Sequence, residues 1–265
     1  MAARAIWKGV VKIGTLSVPV KLYSAVQDRK VHFRLLHKTD HEPVKQRLVS
    51  SDTGDEVEYQ SVRKAFPITR GRMVMLESEE LEKLEPEDSR DIEVTRFVEP
   101  SEIDHRWYDR AYYLGPDGDQ KGYFAAAAAL ESKGKQGVAR WVMRDKEYVG
   151  ALVAEDGYLV LITLRHADEI IAADALKPPG GRELAQRELD MAEQLLSSLS
   201  GKFDPAEYRD EYRARVMELV EAKSKGHKPK VVAFRPKKQK DDQLADALEA
   251  SLAGMKKPAK RRASG

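Results

Sequence analysis

The stretch of sequence that decides the fold reads Val138-Ala-Arg-Trp-Val-Met143, then Tyr148-Val-Gly-Ala-Leu-Val-Ala154, then Tyr158-Leu-Val-Leu-Ile-Thr-Leu164. The three runs are rich in β-branched and aromatic residues. Asp145-Lys146 and Glu155-Asp-Gly157 separate them. Apolar runs of about four to eight residues, bounded by turn residues, indicate strands. The stretch therefore predicts a β-meander of three strands.

A second pair of strand patterns stands near the N-terminus, at residues 5–11 and 16–23, with Gly14-Thr15 as a tight turn between them. Apolar side chains alternate along the second run, which indicates one buried face. Pro19 cannot donate a backbone hydrogen bond to a neighbouring strand. We therefore expect this strand to lie at a sheet edge or to end a pairing at Pro19.

The rest of the chain adds short strands and several helices, so the fold class is mixed α+β and mainly β. Asp204-Pro205 has the residue types of a helix N-cap and first turn. The further strands are predicted at residues 31–36, 92–98 and 111–114, and the helices at 77–84, 123–132, 182–199, 205–222 and 241–252.

Residues 37–72 have a different character from the strands on either side of them. They are rich in Lys, Arg, Asp, Ser and Thr, and their few apolar residues are scattered. Ser50-Ser-Asp-Thr-Gly54 is a turn signature, which suggests that residues 44–49 pair with residues 56–59. Such a segment cannot bury itself, so we expect it to project from the body or to lie against a polar partner.

Composition excludes several classes of protein. The 265 residues contain no cysteine, which excludes disulfides, cysteine-bound zinc, iron–sulfur clusters and a thiol nucleophile. The longest apolar runs, such as residues 158–164, are far shorter than the roughly 20 residues of a membrane helix. Residues 1–7 lack the apolar core of a signal peptide, so we expect a cytoplasmic protein with no membrane partner.

Charge is distributed unevenly along the chain. Residues 1–222 hold 33 basic and 40 acidic residues, whereas residues 223–265 hold 13 basic and 4 acidic residues. Within the body, residues 29–72 carry 10 basic and 6 acidic side chains. An acidic body with a basic tail predicts a polyanion as the partner of the tail.

Familiar enzyme motifs are missing from the sequence. It contains no phosphate-binding Gly-x-x-x-x-Gly-Lys-Ser/Thr loop, no Gly-x-Gly-x-x-Gly after a strand and no Gly-x-Ser-x-Gly elbow. His37 and His41 are four residues apart, but the surrounding pattern is not helical and no second cluster completes a metal site. We expect no metal, no cofactor and no catalytic residue.

Basic side chains punctuate residues 37–72 and the neighbouring strands. Lys and Arg on extended segments contact phosphates without reading bases, which gives affinity for nucleic acid but no sequence preference. A solvated surface would show the same charge run, so both interpretations stay open. The candidate nucleic-acid contacts are Arg4, Lys12, Lys21, Arg34, Lys38, Lys45, Arg47, Arg63, Lys64, Arg70, Arg72, Arg140 and Arg144.

Two alternatives come from other features of the chain. The acidic stretch 77–91 beside a basic segment could form a metal-dependent nuclease, although a solvated helix face explains the same spacing. The basic C-terminus could instead act alone as a nucleoid-type DNA binder through Lys256, Lys257, Lys260, Arg261 and Arg262.

The chain resembles a known family in several collinear stretches between residues 3 and 222. They include Ala3-Arg-Ala-Ile-Trp-Lys-Gly9, Leu16-Ser-Val-Pro-Val-Lys-Leu-Tyr-Ser-Ala25, Asp109-Arg-Ala-Tyr-Tyr-Leu114 and Phe203-Asp-Pro-Ala-Glu-Tyr-Arg-Asp210. These are similar to bacterial Ku, the DNA-end-binding protein of non-homologous end joining.

The resemblance implies a Ku-core β-barrel with a projecting bridge and a C-terminal helical arm. Residues 1–180 would form the barrel with the bridge at about 37–72, residues 181–222 the arm, and residues 223–265 a basic C-terminal region. Some relatives carry a Cys-x-x-Cys pair in the bridge. This chain has Ser50 and Thr53 there, so no zinc is implied.

The function implied by the resemblance is that of a non-enzymatic homodimer. Two copies would form a ring around a double-stranded DNA end, protect it without sequence preference, and recruit and stimulate an ATP-dependent DNA ligase in double-strand break repair. Such a protein would associate with the nucleoid. Candidate contacts with the ligase are Leu244, Leu248 and Leu252, although a helix packing back on the body would show the same stripe.

Overall fold

The structure is a computed structural model that describes residues 4–176, 180 and 185–227. Contacts along the chain divide it after Ala175 into two units, which are described separately. Among the helices of the described residues, none combines the length and apolarity that crossing a bilayer requires.

The secondary structure follows most of the predicted pattern. The strands are β1 (Trp7–Ile13), β2 (Leu16–Ser24), β3 (Lys64–Thr69), β4 (Arg72–Leu76), β5 (Asp91–Val98), β6 (Tyr108–Pro116), β7 (Gln136–Val142), β8 (Glu147–Glu155) and β9 (Tyr158–Leu164). The helices are α1 (Ser78–Glu82), α2 (Gln120–Lys133), α3 (Gln186–Leu199) and α4 (Glu211–Ser224).

A closed barrel forms the body of the first unit, with the strand order β1-β2-β6-β9-β8-β7-β5. The pairs around it are antiparallel, and the parallel pair β1–β5 closes it through Val10↔Asp91 to Lys12↔Glu93. Closure removes the exposed sheet edges that promote aggregation. The predicted meander is present as β7, β8 and β9, and the fold class is confirmed as mixed α+β and mainly β.

The position of β2 decides between the two alternatives expected for Pro19. β2 lies between β1 and β6, so it is not an edge strand. Its pairing with β6 nevertheless ends at Val20↔Pro116, one residue from Pro19. Beyond that point the Pro19 carbonyl accepts a hydrogen bond from the Asp117 backbone, at 3.0 Å. The proline therefore stands at the end of a ladder, where its missing N–H leaves no gap.

The barrel interior is apolar because successive residues of each strand point alternately inward and outward. Along β2 the inward side chains Val18, Val20 and Leu22 are fully buried, whereas Ser17 and Lys21 are not. The buried core also contains Val11, Ile92, Leu114, Tyr123, Ala127, Ala139, Trp141, Leu152, Leu159 and Leu161.

Helix α2 covers one end of the barrel. Asp119 caps its N-terminus by accepting a hydrogen bond from the Gly122 backbone, at 3.0 Å. The fully buried Tyr123 hydroxyl donates to the Leu114 carbonyl and accepts from the Leu159 backbone, at 2.9 Å. The Tyr123 side chain therefore connects the helix to β6 and β9. We call this end of the barrel the helix end.

The opposite end of the barrel is where β1 and β5 begin and where β2 and β7 finish. The chain leaves the barrel here after β2 and returns to it at β5. We call residues 26–90 the excursion and this end the excursion end. None of residues 26–90 is buried.

The excursion contains less regular structure than the sequence pattern suggested. The predicted strand at residues 31–36 is wrong, because its one ladder contact is the isolated bridge Leu36↔Pro43. The predicted pairing of residues 44–49 with 56–59 reduces to a short turn around the bridge Val49↔Glu56. Hairpin β3–β4 was not predicted. The predicted helix at 77–84 is the short α1.

The second unit contributes α3 and α4 among the described residues. Asp204 is an N-cap, as predicted, and accepts a hydrogen bond from the Ala206 backbone at 2.9 Å. It caps only a single 3₁₀ turn at Pro205–Glu207, so the prediction of a continuous helix from residue 205 is wrong. The helix starts later, where Asp210 accepts a hydrogen bond from the Arg213 backbone at 2.9 Å. Both aspartates have the residue type of an N-cap, and the pattern alone did not distinguish them.

Candidate nucleic-acid interface

The excursion places eight of the candidate basic residues in solvent. All of their side chains are exposed, and six of them have no ion-pair partner within the described part of the chain. Those six are Arg34, Lys38, Lys45, Lys64, Arg70 and Arg72. An unpaired cation on an exposed segment is free to neutralise a phosphate.

Two of these residues stand at the tip of hairpin β3–β4. Thr69 pairs with Arg72, so Arg70 and Gly71 form the turn between the strands. Gly71 has a φ of 84°, a left-handed conformation that glycine adopts without steric cost. The tip of the hairpin therefore carries two guanidinium groups, one in the turn and one on the first residue of β4.

The two other candidates in the excursion are already paired with carboxylates. Arg47 donates to Glu56 across the turn at residues 48–57, and Arg63 lies 3.6 Å from Glu77. Pairs between exposed side chains are weak, so a phosphate could displace either carboxylate. Their local charge is nevertheless partly compensated, which makes them weaker candidates than Arg70 and Arg72.

Two further candidates lie on the outside of the barrel. The register aligns Lys12 on β1, Glu93 on β5 and Arg140 on β7 in one lateral row. Lys12 also forms an ion pair with Asp91, at 2.5 Å. The two basic residues are thus separated by Glu93, and one of them is neutralised. This row is less positive than the sequence suggested.

Lys21 is another candidate whose charge is compensated by a carboxylate. Its ammonium lies 2.7 Å from Asp117, and Lys8 lies 3.0 Å from the same carboxylate. The hydrogen bond and the attraction of Asp117 raise the pKa of Lys21, and the two lysines hold the pKa of Asp117 below its usual range. Arg4 is exposed outside any strand, and Arg144 occupies the turn between β7 and β8.

Hairpin β3–β4 also exposes apolar side chains on both faces. Phe66 and Val74 form a cross-strand pair on one face, and Pro67 and Met73 form one on the other. Phe66 is 64% exposed and Met73 is 68% exposed. A two-stranded hairpin is marginally stable alone. Both of its faces are therefore available for contact with another surface.

The acidic stretch of the excursion does not gather into a metal site. The Glu80 carboxylate accepts a hydrogen bond from the Glu77 backbone at 2.9 Å at the start of α1, and the Glu77 carboxylate pairs with Arg63, so both carboxylates have local partners. His37 contacts the Asp40 carboxylate at 2.8 Å. Across the described ranges, no three His, Asp or Glu side chains come together in a way that could hold a metal ion.

Within residues 29–72, two exposed basic residues, Arg29 and Lys30, were not among the sequence candidates. They stand next to Asp28, whose side chain accepts a hydrogen bond from the Lys30 backbone at 2.8 Å. The charge count over residues 29–72 already included them, so that count was the available signal.

Several candidates of the C-terminal region lie outside the described residues. They are the apolar stripe Leu244, Leu248 and Leu252 and the basic residues Lys256, Lys257, Lys260, Arg261 and Arg262.

The fold and this surface define a closed β-barrel protein with an exposed insertion between two strands, in which residues 29–72 carry more basic than acidic side chains. A family model described as the Ku70/Ku80 beta-barrel domain matches residues 12–191. The chain belongs to the Ku family.

Relatives match along almost the whole chain. The non-homologous end joining protein Ku of Anaeromyxobacter sp. (strain K) is 40% identical over 96% of this chain and 87% of its own length. The non-homologous end joining protein Ku 2 of Geotalea uraniireducens is 36% identical, over 95% and 98%. The non-homologous end joining protein Ku of Archaeoglobus fulgidus is 33% identical, over 96% and 100%. The resemblance stated from the sequence is confirmed.

Proposed function

We propose that the chain binds double-stranded DNA ends without sequence preference, as a homodimeric ring acting in double-strand break repair by non-homologous end joining. In this role it protects the ends at the nucleoid and needs no chemistry of its own. It also recruits and stimulates an ATP-dependent DNA ligase. Membership of the Ku family and the names of its relatives support the pathway.

The observation that carries the proposal is the excursion. It joins two strands of a closed barrel, has no buried residue from 26 to 90, and holds six of the candidate basic side chains without a carboxylate partner in the described chain. We assign residues 37–72 to the bridge of the ring. The unpaired basic residues would contact phosphates, which explains binding without base readout.

Exposed apolar surface supports the homodimer. Hairpin β3–β4 has apolar residues on both faces, and in the second unit α3 exposes Leu196 and Leu199 at 68% and 64%. Large apolar patches on a water-soluble surface mark contact sites. A second copy of the chain would bury them, with residues 181–222 as the arm that embraces the partner subunit.

Ligase recruitment is assigned to residues 223–265. The stripe Leu244, Leu248 and Leu252 is the proposed contact, because leucines spaced four residues apart would share one face of a helix, and such an apolar face fits an apolar groove. Changing Leu248 to Asp should abolish stimulation of the ligase while leaving DNA binding intact. Loss of both activities together would argue against a separate recruiting segment.

The first experiment compares one duplex sequence in linear and in covalently closed circular form, at about physiological salt. A ring requires a free end, so we expect binding to the linear form, lost when bulky groups block both ends. Equal binding to both forms would refute threading and favour the tail-driven binder. Cleavage of the DNA in the presence of Mg²⁺ would favour the nuclease.

A charge-reversal pair tests the assignment of the excursion. Arg72→Glu should weaken binding to all linear duplexes alike and reduce the salt slope by about 1 for each phosphate that the protein no longer neutralises. Lys121→Glu is the matched control, since this exposed lysine lies in the first turn of α2 at the helix end. If both variants bind like the unaltered protein, the bridge assignment is wrong.

A further inference from the structure

A polar pocket opens at the excursion end of the barrel, where the excursion returns to β5. Its volume is about 320 Å³, within the range of about 300–1,000 Å³ that is usual for small-molecule sites. The lining residues are Trp7, Asp88, Ser89, Arg90, Val142, Met143 and Arg144.

Gly9 fixes two walls of this pocket. A Cβ atom at Gly9 would lie 2.3 Å from the Trp7 ring and 2.7 Å from the Arg90 carbonyl oxygen, so the hydrogen side chain permits both to approach the strand. The Arg90 carbonyl also accepts a hydrogen bond from the Val10 backbone, at 2.8 Å. The indole and the backbone of Arg90 are therefore held on β1 before any ligand arrives.

The turn that carries Arg144 lacks the residues that two-residue hairpin turns of its backbone conformation prefer. Arg144 and Asp145 have φ angles of 54° and 61°, and Met143 donates to the Lys146 carbonyl at 2.9 Å across the turn. Two-residue hairpin turns with positive φ at both positions favour Asn-Gly or Asp-Gly. An arginine at the first position is unfavourable there, because its Cβ crowds the backbone.

The same barrel contains a turn that follows the rule. Asp156 and Gly157 join β8 to β9 with φ angles of 52° and 77°. The unfavourable sequence thus occurs at the excursion end, beside the pocket, and the favourable one at the helix end. Departures from local preference concentrate at functional sites.

The groups that line the pocket match the parts of a nucleotide. Arg90 and Arg144 have no ion-pair partner in the described ranges, and guanidinium groups suit a phosphate. The Trp7 indole offers a face on which a base can stack. Asp88 disfavours a bare anion, but its carboxylate can accept hydrogen bonds from the amino group of a base.

We propose that this pocket binds one unpaired nucleotide of a DNA end, the first base of a single-stranded overhang. The base would stack on Trp7 with its amino edge toward Asp88, and its phosphate would lie between Arg90 and Arg144. This inference rests on the proposed function, because the pocket adjoins the excursion. The pocket would add a preference for overhanging ends to DNA binding that otherwise has no sequence preference.

The test measures the affinity of the full-length protein for one duplex with blunt ends and for the same duplex with three-nucleotide cytidine overhangs. Stacking of one base on an aromatic side chain corresponds to about 5- to 150-fold in affinity, so the overhang duplex should bind at least 5-fold more tightly. Thymidine overhangs lack the amino group and should gain less.

The double change Arg144→Asn with Asp145→Gly removes the guanidinium and installs the favoured turn. It should raise the melting temperature and reduce the ratio of overhang to blunt affinity to about one. Asp156→Asn in the matched turn should leave that ratio unchanged. Arg90→Gln, which does not touch the turn, should lower the ratio independently.

The outcomes separate this inference from the proposed function. Binding to neither duplex would overturn the proposed function itself. Equal affinity of the unaltered protein for both duplexes would overturn the nucleotide pocket alone. Equal weakening of both duplexes by the Arg144 variant would also overturn it, since Arg144 would then be an ordinary phosphate contact.

Discussion

Tyr123→Phe tests how α2 is held on the barrel. The change deletes one oxygen, which donates to the Leu114 carbonyl and accepts from the Leu159 backbone N–H in a fully buried site. Each lost hydrogen bond costs about 1 kcal/mol, and a buried group left unsatisfied costs about 1–3 kcal/mol. We expect the free energy of unfolding to fall by about 2–4 kcal/mol.

Urea unfolding followed by circular dichroism measures this loss as a lower midpoint with an unchanged slope. Tyr148→Phe is the matched control, because the Tyr148 ring stacks on Trp141 and its hydroxyl has no hydrogen-bond partner in the described part of the chain. A Tyr123→Phe variant within about 0.5 kcal/mol of the unaltered protein would refute the reasoning, since that is the scatter of neutral substitutions.

The same substitution has a pH signature. Burial raises the pKa of Tyr123 above its ordinary value of 10.0. Tyr123 therefore ionises at a lower pH in the unfolded chain than in the folded protein. Its contribution to the free energy of unfolding is fully present below pH 10.0 and declines as the pH rises above that value. Phenylalanine cannot ionise, and the alkaline decline in the midpoint should be shallower in Tyr123→Phe.

Three other predictions concern the barrel and the DNA surface. Gly150→Ala should destabilise the barrel by about 1–3 kcal/mol, because the added Cβ would lie 2.7 Å from the Ile162 carbonyl oxygen. A melting temperature equal to that of the unaltered protein would contradict this prediction. Asp117→Asn should make the fall in the free energy of unfolding at acid pH shallower, because Lys21 and Lys8 lower the Asp117 pKa and the contribution of this carboxylate is lost as the pH falls below 3.8. The same dependence of stability on acid pH in the variant and in the unaltered protein would count against that pairing. DNA affinity should fall by about 10³–10⁵-fold between 50 and 200 mM salt if about 6–10 phosphates are neutralised, and a flat titration would exclude a phosphate-dominated grip.

The barrel could be predicted from sequence where packing and local preference agree. Residues 158–164 are a continuous apolar run with β-branched residues, and they form β9, which is largely buried. The closing pair β1–β5 could not be predicted, because nothing in residues 10–12 identifies a partner near residue 91. Such pairing is set by tertiary closure rather than by any local signal.

The sequence predicted that the excursion would be exposed, but it did not predict which strands and turns the excursion contains. Its composition correctly indicated a segment without a core. Hairpin β3–β4 was missed because Pro67 and the bulge at Ile68 interrupt the alternation that identifies a strand. The candidate cations were found by residue type, but the pairing of Lys21 with Asp117 depends on the register of three strands, which the sequence does not display.

Because the β1–β5 pairing closes the barrel, residues 26–90 form a loop whose two ends are held close together. Its ends are fixed by the pairing that completes the barrel, so its length enters folding only through the entropy of joining those ends. Each doubling of a flexible loop adds only about 0.6 kcal/mol to that entropy. Changes in the length or sequence of the excursion should therefore alter the stability of the barrel only slightly. The exposed surface of the excursion can thus change during evolution independently of the barrel.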